Sequence, residues 1–61
     1  MMTEDEIRAE GKRHQKTYFR IEGSREDGYE FGAWQFAEEV LGEKFPELTE
    51  AEIWTEDDDD V

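Results

Sequence analysis

The chain contains no cysteine, and serine, histidine and proline each occur once in its 61 residues. Without cysteine there is no disulfide, no thiolate metal site and no thiol nucleophile. One serine and one histidine leave no basis for an internal Ser-His-Asp arrangement. Neither an apolar signal-type segment nor a run of about 20 apolar residues occurs, so export by a standard signal and membrane spanning are not expected. The expected location is the cytoplasm. No Gly-rich phosphate loop, HExxH or EF-hand spacing is present. The run Asp57–Asp60 does not supply the six to eight converging oxygens that a calcium cage requires. These absences predict no catalytic residue, no cofactor and no metal, and hence a protein that is not an enzyme.

Large aliphatic residues are also few. Ile, Leu, Val and Phe together number 11 of 61, below the roughly 20% typical of folded chains. Eight aromatic residues offset this shortage, since each can bury on the order of 150–250 Å². One small domain with an aromatic-rich core is the expectation. A chain this short buries only about 60% of its unfolded surface, which makes its stability marginal.

Bases are scarce: 7 Lys and Arg stand against 19 Asp and Glu, a net charge of −12. Six of the seven bases fall in residues 8–25, whereas residues 26–61 hold 14 acids and only Lys44. Such a charge disfavours nucleic acid and anionic membranes as direct partners.

Thr3-Glu4-Asp5-Glu6 has the spacing of a capping box and opens a helix. Ile7 is the only large apolar residue between Thr3 and Gln15, and Gly11 interrupts, so residues 1–15 are expected to form a weak or frayed helix. In residues 16–22, Thr17, Phe19 and Ile21 alternate with Tyr18, Arg20 and Glu22, the pattern of a strand. Gly23–Gly28 has turn composition, and Tyr29–Phe31 begins a second strand. Ala33, Phe36, Ala37, Val40 and Leu41 recur at helical spacing, with Gly42 as the stop. Residues 50–55 alternate again and predict a third strand. The tail 56–61 is a like-charge block expected to be disordered.

The predicted fold is therefore α+β. Residues 16–55 form a ββαβ domain whose three-stranded antiparallel sheet has strand order 2-1-3. One main helix covers one sheet face through Phe36, Ala37, Val40 and Leu41. Tyr18 and Trp54 fall on the other face, which is open unless the N-terminal segment covers it. This element order over residues 16–56, with its acidic surface, resembles small phage proteins that inhibit bacterial RNA polymerase, and more loosely the antitoxin halves of toxin–antitoxin pairs.

The helix places Glu38, Glu39 and Glu43 on its solvent side, with Glu47 beyond. Like charges at i,i+4 cost a helix roughly 0.2–0.5 kcal/mol each, and surfaces normally mix signs. The concentration of acid predicts a partner: the basic surface of a nucleic-acid-handling protein, blocked by a DNA-like array of carboxylates. The expected contact residues are Glu38, Glu39, Glu43, Glu47, Glu52, Glu56, Asp57 and Asp58, with Trp54 as apolar anchor and Tyr18 beside it. Two alternatives stand beside this. One is an antitoxin-like or adaptor module, and the other is a small domain made acidic by adaptation to high salt. The open strand edge would also allow a homodimer by strand pairing.

Overall fold

The structure, a computed structural model, describes residues 2–55; the expected acidic tail 56–61 lies outside them. The described residues form three helices: α1 (Glu4–Arg20), α2 (Asp27–Leu41) and α3 (Glu50–Trp54). No strand occurs among them. The expected three-stranded sheet, its 2-1-3 order and the ββαβ core are thus replaced by helices. The resemblance in element order to phage polymerase inhibitors and antitoxins falls with the sheet, as does dimerisation through a strand edge.

Thr3 opens α1 as a capping box: its backbone N–H donates to Glu6 Oε1 at 2.9 Å, and its Oγ1 accepts from the Glu6 N–H at 3.2 Å. The acids Glu4, Asp5 and Glu6 fill the first turn and Arg20 lies in the last, which complements the helix dipole at both ends. α1 continues through Gln15 to Arg20, so Thr17, Tyr18 and Phe19, expected in the first strand, are its last turn. Gly23, at φ 96°, turns the chain, and its N–H donates to Asp27 Oδ2 at 2.9 Å. α2 starts at Asp27 and takes in the expected second strand. It ends at Gly42, whose φ of 71° is the left-handed closure open to glycine. Residues 50–55, the expected third strand, start a short helix behind a second capping box, Thr49 with Glu52. Loss of one such cap costs about 1 kcal/mol. For a domain of this size Thr3→Ala should lower the melting temperature by about 4–8 °C, read by far-UV circular dichroism.

α1 and α2 are antiparallel. Arg8 pairs with Glu43, Gly11 approaches Ala37, and Tyr18 meets Phe31, so α2 is read backwards along α1. The helices come closest at Gly11, where an added Cβ would lie 2.5 Å from Ala37 Cβ and 2.7 Å from Phe45 Cε2. Toward the turn, Tyr18, Phe19, Phe31 and Trp34 form a cluster with ring centroids 5.1–5.8 Å apart, the spacing of favourable aromatic pairs.

After Gly42 the chain folds back as a strap, residues 45–55, over one flank of the hairpin. Phe45 is buried against Gly11. Gln15, only 2% exposed, donates from Nε2 to the Pro46 carbonyl at 3.0 Å. Farther along, Arg20 Nη2 and Lys16 Nζ donate to the Thr55 carbonyl at 2.8 and 3.1 Å. Arg20 Nε also donates to the Ile53 carbonyl at 2.5 Å. Cations from α1 thus hold carbonyls at the C-terminal end of α3, which favours positive charge.

The strap covers only one flank, and this overturns the expected helix face. Ala37 is buried and Leu41 half-buried against α1, but Phe36 is 67% and Val40 50% exposed. The inner side of α2 is turned toward the strap, where Trp34 and Glu38 take the places expected of Phe36 and Val40.

Candidate interaction surface

Among the described residues the expected contact set is only partly brought together: Glu38, Glu39 and Glu43 line one concavity with Lys44. Glu38, expected on the solvent side, is 7% exposed. Its Oε2 accepts from the Trp34 indole N–H at 3.0 Å and from the Phe45 backbone N–H at 2.9 Å, fastening the strap to α2. Glu43 accepts two of the three guanidinium bonds of Arg8, at 2.8 and 3.1 Å. Glu52 closes the α3 capping box, and Tyr18 is half-buried in the aromatic cluster. Trp54 is exposed, but its indole N–H donates to Glu50 at 3.2 Å and the Arg20 guanidinium carbon lies 5.8 Å from its ring centroid. Glu39 and Glu47 are exposed. Glu56, Asp57 and Asp58 lie outside the described residues.

Five of the seven cations are spent inside the fold, while Arg25 and Lys44 are exposed. Arg8 bridges Asp5 and Glu43, Arg13 pairs with Glu10, Lys16 and Arg20 hold the strap, and Lys12 sits 5.9 Å over the Phe45 ring. Carboxylates of the second half of the chain, Glu39 and Glu47 among them, are left facing outward without an ion pair among the described residues.

Two carboxyls are held below the usual range. Hydrogen bonding from Arg8, reinforced by its charge, lowers Glu43, and the same bond raises Arg8. Hydrogen bonding from Arg13 lowers Glu10 in the same way. A carboxyl whose folded value is depressed adds stability above its unfolded value, near pH 4.3. That stability is lost as the pH falls through the lowered folded value. Thermal unfolding followed from pH 7 to pH 2 should therefore show an acid-side loss of stability. Glu43→Gln should flatten that loss while lowering stability at pH 7.

The sequence pattern did not single out the flank opposite the strap. Met2, Ile7, His14, Ala33 and Phe36 line a groove of about 350 Å³ between the two helices, floored by Gly11 and Ala37. His14 Nδ1 lies 2.5 Å from Glu30 Oε1 across the hairpin. Beside the groove, α2 presents Tyr29 at 71% exposure, with Phe36 and Val40 in the same row. Gly28 and Gly32 border this row, and no heavy atom lies within 4 Å of where a Cβ would stand at either. The helical spacing of Ala33, Phe36 and Val40 was visible in the sequence; that Phe36 and Val40 are left exposed was not.

Among the described residues no helix is long and apolar enough to cross a membrane, and no group of three or more His, Cys, Asp or Glu side chains is placed to hold a metal ion. The chain matches no protein-family model, no curated protein and no solved structure.

Proposed function

We propose that this chain is a small acidic interaction protein, not an enzyme, that acts inside the cell by binding and blocking a basic surface of a nucleic-acid-handling protein. The observation that carries this is the use of its cations. Arg8, Lys12, Arg13, Lys16 and Arg20 are engaged within the hairpin and strap, so a chain of net charge −12 turns its uncompensated carboxylates outward. A surface of one sign steers a partner of the other sign and makes association salt-sensitive. Glu39 and Glu47 stay in the contact set. Glu38 leaves it, because its carboxylate is committed to Trp34 and Phe45.

The test is capture from a cell lysate on the immobilised chain. At about 50 mM salt it should retain nucleic-acid-binding proteins, which excess duplex DNA displaces and about 500 mM salt releases. Retention of no such protein at low salt overturns the proposal.

A further inference from the structure

We propose that the uncovered flank of the hairpin is the seat for one basic amphipathic helix of the partner protein, laid along α2 over Tyr29, Gly32, Phe36 and Val40. This rests on the reading of the chain as a binder of basic surfaces and names the element it takes.

Three observations lead here. The first is apolar exposure. Tyr29, Phe36 and Val40 are at least half exposed and share one side of α2 with Ala33, beside the groove lined by Met2 and Ile7. In a chain with so few large apolar residues, this row is withheld from a core that needs it. Its spacing of seven and four residues follows a helix for about 16 Å, the length over which a second helix can lie in contact.

The second observation is the pair of glycines. Gly32, in the interior of α2, costs the helix about 1 kcal/mol relative to alanine, whereas Gly28 stands in its first turn. Gly11 has a reason within the fold, since Ala37 and Phe45 press against it; Gly28 and Gly32 have none, because a side chain at either would meet open space. Bare backbone next to an apolar row lets another helix come close.

The third observation is charge, and it chooses the occupant. α2 carries no base, Glu39 is exposed beside Val40, and Glu10, which also pairs with Arg13, lines the groove from α1. A second copy would set two such helices together, each on a chain of −12. A helix with an apolar stripe and lysine or arginine flanks would instead place its cations beside Glu39 and Glu10.

The probe is a synthetic peptide of about 14 residues, roughly 21 Å as a helix, with leucine at heptad spacing and lysine elsewhere. Its control has the same composition scrambled so that no stripe forms. By isothermal titration at about 150 mM salt, the chain should prefer the amphipathic peptide by about tenfold. Phe36→Ser and Val40→Ser should abolish this preference while leaving the scrambled peptide's affinity and the melting temperature unchanged. Gly32→Leu should raise the melting temperature, because leucine is the better helix former, yet weaken the amphipathic peptide by about tenfold.

No preference between the peptides, or a preference that survives Phe36→Ser, overturns the seat. So does sedimentation showing a dimer that Phe36→Ser dissociates, which would give the flank to a second copy. If neither peptide binds even at about 50 mM salt, the broader proposal of a basic partner fails as well. If both bind equally, only the seat fails.

Discussion

Gly11→Ala is expected to destabilise this protein by about 1–2 kcal/mol, although alanine is the better helix former by about 1 kcal/mol. A methyl at this position would stand 2.5 Å from Ala37 Cβ and 2.7 Å from an edge carbon of Phe45. Both neighbours are buried, and Ala37 Cβ is fixed by the α2 backbone, so α1 and α2 must separate. Overpacking of this kind costs about 1–3 kcal/mol, which outweighs the propensity gain. For a chain of this size the loss lowers the melting temperature by about 4–16 °C. Ala37→Gly in the same chain removes the worst contact and should restore part of the loss. A Gly11→Ala protein that melts at or above the wild-type temperature would show that the helices are not in contact there.

Glu38→Ala should cost more, about 2–3 kcal/mol. A single carboxylate oxygen accepts from both the Trp34 indole and the Phe45 backbone N–H, and Phe45 is buried. Removing it strands a main-chain donor that water does not readily reach, and a hydrogen bond to a charged group is worth about 1.5–3 kcal/mol. Glu38→Gln keeps an oxygen in place and should lose only about 1 kcal/mol. Urea unfolding measures both variants, with Trp34 as reporter in a Trp54→Phe background. Equal losses for the two would mean that the acceptor oxygen does not hold the strap.

The helical ends were easier to find in the sequence than the helical middles. Thr3 with Glu6 marks the start of α1, and Gly42 marks the end of α2, because caps act locally. Thr49-Glu50-Ala51-Glu52 carries the same capping signal and would have identified α3. The alternation of Ala51, Ile53 and Thr55 with Glu52 and Trp54 pointed to a strand instead, in a stretch too short for period alone to decide. In α1 the buried stripe contains Gly11 and Gln15. Neither is apolar, so the helical period disappears where the packing is tightest, and residues 16–22 are left to show a spurious alternation.

The contact surface was legible in its charge and not in its arrangement. Counting bases showed how few there are; only the fold shows Arg8 facing Glu43 and Arg20 facing the end of α3. Glu38 and Glu39 are adjacent and chemically alike, yet one is buried and the other exposed. A periodic apolar row likewise does not reveal which of its members meet the fold, which is why Phe36 and Val40 were assigned to the core.

The strap has a consequence for the order in which the chain folds. Its bonds to α1 join residues 31–39 positions apart, whereas the aromatic cluster at the turn joins near neighbours in sequence. Loop closure favours the nearer contacts, so the hairpin can form before residues 45–55 dock on it. Until Phe45 arrives, Gly11 has only Ala37 against it and Glu38 has only the Trp34 indole to hold. The strap is then the last piece to dock and the first to peel away. Amide protons at Phe45 and in the α3 turn should exchange with solvent well before those in the middle of α1.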